Sequence, residues 1–209
     1  MFIRRPAGRA IAAVPLLSLI AFPLYASIQQ HDLALAQVTD PTIHVEIAQL
    51  GLYPEITGDD SVVALDALPL RSFSSTHVEF FGDGVRVRIE AQPFEQPAWV
   101  KRSHGALRLE GSPIIGWSGG APHTRLSRVE VVMDGAVIEL PPDAFTDLFD
   151  PPLSAQAADG AVLFATAARS RDGWRTYVHA QSGEGNEARI ITWVIEDGHY
   201  LFRVIDRIE

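Results

Sequence analysis

Three Asp-Gly pairs, Asp83-Gly84, Asp134-Gly135 and Asp197-Gly198, each stand between two short runs rich in β-branched and aromatic residues. This punctuation restricts the chain more than any other feature. A two-residue hairpin turn needs positive φ at its centre, which Asp and Gly tolerate and bulky residues do not. Each pair therefore predicts two antiparallel neighbours in one sheet. The first joins Val78-Glu79-Phe80-Phe81 to a run over 85–90, where Val85, Val87 and Ile89 alternate with Arg86, Arg88 and Glu90, the period of a strand with one wet face. The second joins 128–133 to 136–140. The third joins 189–196 to 199–207 and carries Ile190, Ile191, Trp193, Val194 and Ile195 on both faces, which predicts a strand covered on both sides.

The pattern after residue 40 reads mostly as strand, and the expected fold is mainly β, an antiparallel sandwich or a strongly curved sheet. One short helix is expected over about 143–149. Asp143 stands near its start, Phe145, Leu148 and Phe149 fall on one side, and Pro151-Pro152 stops it. Residues 151–160 combine two Pro with Ser, Ala, Gln and Asp and are the best internal linker candidate. The fragment after it is too short to be stable alone, so 37–209 is read as a single domain.

Residues 1–36 have the layout of a secretory signal peptide: basic Arg4, Arg5 and Arg9, an apolar run from Ile11 to about Ala26, and a polar stretch ending Ala34-Leu35-Ala36. The small residues at 34 and 36 place the expected cut between Ala36 and Gln37. An uncleaved anchor is the rival, since Ile11 to Ile28 approaches spanning length, although Pro15 and Pro23 interrupt it. The expected destination is the periplasm or the exterior, with membrane attachment only through an uncleaved N-terminal segment. Removing residues 1–36 takes away three Arg and one Asp and moves the net charge from −9 to −11. Such a surface repels nucleic acid, which needs a clustered positive face. The absence of Cys excludes a disulfide scaffold, a thiolate zinc site and lipid attachment through an N-terminal Cys.

Candidate chemistry is sparse. Gly116-Trp117-Ser118-Gly119-Gly120 satisfies the Gly-x-Ser-x-Gly pattern of a nucleophile elbow, and Ser118 is the one candidate nucleophile. The elbow needs a helix directly after the Ser, whereas Ala121-Pro122-His123 and a β pattern follow. The string also resembles the Gly-Asp-Ser-Gly-Gly of trypsin-like proteases, with Trp117 in place of the Asp; that resemblance covers five residues and implies a catalytic His upstream, where His77 lacks the family's surroundings. Two pairs, His44 with Glu46 and His77 with Glu79, have the spacing of ligands on one strand face. A polar strand edge explains them as well, and no metal is expected. His179 and His199, on strands flanking the third turn, can face one another across a sheet. Asp143, Asp147 and Asp150 would share a helix face without the loop carbonyls that calcium needs. No phosphate-cradling loop or dinucleotide fingerprint is present, so no cofactor is expected.

The loop Ser182-Gly183-Glu184-Gly185-Asn186-Glu187 is the leading candidate for binding, because it sets two carboxylates and an amide between rigid strands. Trp117 and Trp174 are candidate stacking surfaces beside it. Together these features point to an exported cell-envelope protein that binds a protein or glycan partner without catalysis. The alternatives are a small serine hydrolase using Ser118, or a periplasmic inhibitor or immunity-like protein with an acidic binding surface.

Overall fold

The computed structural model describes residues 32–51, 65–95, 101–103, 106–109, 112–116, 122–157, 160–183 and 185–207. Residues 1–31, which hold the basic start and apolar run of the expected signal segment, lie outside that set. The chain is mainly β, with two large sheets packed face to face. A six-stranded sheet has the order β1 (Asp32–Leu33), β16 (His199–Arg207), β15 (Arg189–Glu196), β14 (Arg175–Ser182), β13 (Ala165–Arg169), β2 (Asp66–Ala67). A five-stranded sheet has the order β10 (Ala136–Ile138), β9 (Thr124–Met133), β5 (Val85–Pro93), β4 (His77–Gly82), β3 (Leu70–Ser74). All pairs in these sheets are antiparallel except β1, which runs parallel to β16. Two small sheets accompany them: β6 (Lys101–Ser103), β7 (Ala106–Leu109) and β8 (Ser112–Pro113), and the hairpin of β11 (Ser154–Ala157) with β12 (Gly160–Leu163).

All three Asp-Gly pairs form the turns their composition predicts. Both central residues have positive φ, 50° and 74° at 83–84, 49° and 83° at 134–135, and 47° and 73° at 197–198. That is the type I′ requirement, whose twist matches the strands it joins. Register follows from the turns, with Val85 opposite Met133 and Val87 opposite Val131 across β5 and β9. The alternation along β5 then buries Val85, Val87 and Ile89 at 0–1% exposure, on the face toward the other sheet.

The third hairpin is covered on both sides, as its composition predicts. Ile191, Trp193 and Ile195 face the five-stranded sheet together with Val178 and Ala180, while Val194, Tyr177 and Val204 face the opposite way into a second apolar cluster. What covers that second face is α1 (Pro41–Gly51), the one α-helix among the described residues. Its sequence, Ile43-His44-Val45-Glu46-Ile47, alternates like a strand, but Asp40 overrides that pattern. The Asp40 carboxylate accepts the backbone N–H groups of Thr42 (2.8 Å) and Ile43 (3.2 Å), and Pro41 occupies the first turn, where its missing N–H costs nothing. Ile43 and Ile47, one helical turn apart, then pack with Val38 on the sheet. The expectation of strand here is corrected, and with it the pairing of His44 with Glu46: two residues apart on a helix they point to different sides, His44 half-buried and Glu46 buried at 2% exposure.

The helix expected over 143–149 forms only as a 3-10 turn at Pro142–Ala144. The backbone beyond it is committed elsewhere. Ile115 donates to Asp147, Phe149 donates to Ile115, and Leu126 donates to Leu148, so 147–149 lies as an extended strip between two other segments and cannot close helical bonds. The three Asp residues accordingly share no face: Asp143 is exposed, Asp147 binds Arg203, and Asp150 accepts from His123 and Thr124. Within 151–160, the linker candidate, Pro151 and Leu153 are buried and Ser154–Ala157 pairs with Gly160–Leu163.

Arg203 closes this end of the molecule. It is 2% exposed, and all five of its N–H donors have acceptors. Nε and Nη2 reach Asp32 (2.6 and 3.0 Å), Nη1 and Nη2 reach Asp147 (2.6 and 2.7 Å), and Nη1 also reaches the Ala144 carbonyl (3.0 Å). Replacing Asp147 with Ala removes two charge-assisted bonds and half of the neutralising charge from a buried cation. Asp147→Ala is expected to cost about 3 kcal/mol, or roughly 6–12 °C in Tm. Asp32→Ala is expected to cost only about 1 kcal/mol, because the Asp32 side chain is 55% exposed and water can replace it. Urea denaturation of the two variants checks both size and order.

Candidate functional site

Trp117, Ser118 and Glu184 lie outside the described residues, but the segments that carry them meet. Gly116 and Gly183 are in direct backbone contact: a Cβ on Gly183 would sit 2.0 Å from the Gly116 carbonyl oxygen, and one on Gly116 would sit 2.4 Å from the Ser182 hydroxyl. Ser182 donates to the carbonyls of Phe149 (2.9 Å) and Ile115 (3.3 Å), and the Gly183 N–H donates to Asp150 (3.2 Å). Three distant segments are thus knotted at the root of the binding-loop candidate. Beyond the knot, Gly185–Glu187 forms a 3-10 turn with Asn186 and Glu187 exposed, and Arg189 reaches back to the Asn186 carbonyl and to the Glu187 carboxylate.

Trp174 does not join this loop. It stands just before β14, whereas Asn186 and Glu187 follow its far end, so the eight residues of that strand hold them roughly 25 Å apart. Trp174 is 54% exposed and anchored only through its backbone, its N–H donating to Asp172 (3.0 Å) and its carbonyl accepting from Asp197. Hydrogen bonds from the Ser170 hydroxyl and the Trp174 N–H hold the Asp172 carboxyl below its usual range. The structure thus does not bring Trp174 together with Asn186 and Glu187. A sequence pattern shows which residues follow a strand, but not that its length separates them.

His77 lies between two hydroxyls, Nε2 3.0 Å from Ser72 and Nδ1 2.9 Å from Ser74. The Ser74 oxygen also accepts the N–H groups of Thr76 (3.2 Å) and His77 (3.1 Å), so these side chains tie β3 to β4 beside their turn. Among the described residues no three His, Asp or Glu converge to hold a metal. His179 and His199 do not face one another, since His179 pairs with Thr192 in mid-strand and His199 pairs with Glu196 at the turn.

The buried polar groups on the helix-facing side of the six-stranded sheet hold the helix in place. Glu46 accepts from the Tyr177 hydroxyl and from Arg175 Nε (2.8 Å), and Arg175 also reaches Glu196 (3.3 Å). Burial and the Glu46 carboxylate push the Tyr177 hydroxyl far up, so it stays a neutral donor, and Glu46 and Glu196 keep Arg175 charged. His179, on the same face two residues on, bonds Thr192 (3.0 Å), and burial lowers its pKa to about 4.

An open feature appears at the edge of the five-stranded sheet, in residues the sequence pattern did not single out. On the core-facing side, Val129 and Val131 of β9, Val87 and Ile89 of β5, and Val78 and Phe80 of β4 are 0–5% exposed. The next strand breaks that series: Leu70, opposite Phe80, is 40% exposed and Phe73, opposite Val78, is 43% exposed. Phe81, on the outer face of the same sheet, is 51% exposed. Among the described residues nothing pairs with the outer edge of β3. The available sequence signal was the spacing of Leu70 and Phe73 just before the first hairpin, but exposure of an apolar residue leaves no mark in a sequence. Comparison with protein-family models, with curated proteins and with solved structures finds no match to this chain.

Two outcomes are expected. Gly183→Ala forces a Cβ into the Gly116 backbone at φ 75° and should cost about 3 kcal/mol or more, whereas Gly185→Ala, at φ 59° with open space around it, should cost only about 1–2 kcal/mol. Chemical denaturation of the pair separates crowding from φ strain. For His179, the folded state holds the ring neutral down to about pH 4, while the unfolded ring protonates near 6.5. The unfolded state therefore binds more protons between those values, so stability is complete above pH 6.5 and falls on acidification toward pH 4, by on the order of 3 kcal/mol. His179→Gln should flatten that part of the Tm-against-pH curve.

Proposed function

We propose that the chain is an exported cell-envelope protein that acts as a binding module without catalysis, and that it takes a protein partner as an added strand along β3. The observation that carries this reading is the abrupt opening of the core-facing surface at β3, where Leu70 and Phe73 lie uncovered next to Val78 and Phe80 at 0–3% exposure. An extended segment laid along β3 would complete the backbone ladder and cover both side chains, with affinity from main-chain bonds and selectivity from alternate apolar residues. Arg71, exposed at a register shift between Leu70 and Ser72, puts a charge and an irregularity on the edge. Both discourage a second copy from pairing there, as does the net charge of −9, and so favour a partner of different sequence. The basic and apolar start of the chain supports export. A glycan reading has less support, because Trp174 is the one exposed indole among the described residues and a stacking platform needs neighbours.

The test uses wild-type protein and the double variant Leu70→Lys, Phe73→Lys as baits in envelope extract, followed by amide exchange on the captured complex. Both substituted residues are partly exposed, so Tm should move by only a few degrees. Capture should fall at least tenfold in the variant, and the partner should slow exchange at Leu70–Ser74 in the wild type. Equal capture by both baits, or protection confined to other strands, would overturn the reading.

A further inference from the structure

We infer that the leader is cut upstream of Asp32, after Ala26, so that the mature chain starts at Ser27 and keeps the segment up to Gln37 as part of its fold. The inference rests on the export reading but not on any partner. Its ground is what Asp32–Gln37 does in the folded chain. Asp32 and Leu33 form β1, paired in parallel with Arg203 and Val204 of β16. Asp32 takes two of the five N–H donors of buried Arg203, at 2.6 and 3.0 Å. The Leu35 N–H donates to the Asp206 carboxylate (3.2 Å), and Leu33 and Leu35 pack against the cluster of Val38, Ile43, Ile47, Tyr177, Val194 and Val204. Ala34 and Gln37 close a capping arrangement around the 3-10 turn Leu35–Gln37, the Ala34 N–H donating to the Gln37 side chain (2.7 Å).

A cut between Ala36 and Gln37, which the small residues at 34 and 36 suggest, would discard all of this before the protein folds. It would leave two donors of a 2%-exposed guanidinium without a protein acceptor and uncover part of the second apolar cluster. Selection for a leader gives no reason for the discarded piece to match the mature fold at a backbone ladder, a bidentate ion pair and an apolar face together. Between Phe22 and Asp32 the chain contains one Ala, Ala26, preceded by the helix-breaking Pro23. A cut there falls at the end of the apolar run, much nearer to it than a cut after Ala36. Leu24 takes the place of the second small residue.

Expression of the full chain in an exporting host, with intact mass and N-terminal sequencing of each cell fraction, tests this. Ser27 as the first residue of the exported form is the expected result. A first residue of Gln37 overturns the inference while leaving export intact. Met1 retained in exported or membrane-bound protein also overturns the cut, and Met1 retained in a chain confined to the cytoplasm overturns the export reading with it. A variant pair gives a second readout: Ala26→Arg should accumulate precursor at least tenfold over wild type, while Ala36→Arg, at an exposed position, should be processed at the wild-type rate. The reverse pattern places the cut at 36/37.

Discussion

One carbonyl oxygen, that of Ala144, receives both the indole N–H of Trp193 (2.7 Å) and an N–H of Arg203 (3.0 Å), and the arrangement of the fold's far end depends on that meeting. Trp193 is among the largest fully buried side chains and lies between the sheets, so its N–H must find an acceptor inside the protein. The 3-10 turn at Pro142–Ala144 supplies it, and Asp147 just beyond supplies the charge that lets Arg203 stand beside Trp193's strand without solvent. Burial opposes the Arg203 charge, while the bonds to Asp147 and Asp32 outweigh it and hold the group ionised. Three parts of the chain remote in sequence, the first strand, the strip over 142–149 and the central strands of the larger sheet, are located by this set of bonds.

A parallel arrangement holds the helix. Glu46, Tyr177 and Arg175 form a buried polar contact inside an otherwise apolar interface, and the isoleucines on either side exclude water from it. The larger sheet is therefore committed on both faces, to the smaller sheet on one and to α1 on the other. Among the described residues the smaller sheet is covered on its inner face, and its outer face carries an ion-pair network of Arg86, Arg88 and Arg128 with Glu90 and Glu130. Among the described residues, β3 is the edge where core-facing apolar side chains are left open.

Much of the sheet framework was legible in the sequence, and for a local reason. At these three positions Asp and Gly both tolerate positive φ, the local requirement of a tight antiparallel pairing. The segments misread were those where a distant partner decides. Residues 143–149 have the caps and apolar spacing of a helix, yet Ile115 and Leu126 claim the backbone of 147–149. Residues 41–51 alternate like a strand, yet the Asp40 cap and the apolar face of β14 and β15 favour the helix. The Asp40-Pro41 pair, followed by Ile43, Ile47 and Leu50, was a readable helix signal set against a β-like alternation. For the candidate site, the Gly116 and Gly183 segments, far apart in sequence, touch, whereas Trp174 and Asn186, close in sequence, lie at opposite ends of a strand.

The sequence by itself determined the three hairpins, the burial of the last one on both faces, the exclusion of disulfides and the address-like start. These are properties of neighbouring residues, settled by dihedral preference, side-chain alternation and composition. Only the tertiary structure decided which face received a helix, which carbonyl met Trp193 and Arg203, that Asp32 belongs to the fold, and that among the described residues β3 is an edge strand with exposed apolar side chains. Each of those depends on which distant group arrives to satisfy a buried donor or cover an apolar surface, and the free energy of that meeting is absent from any short window of the chain.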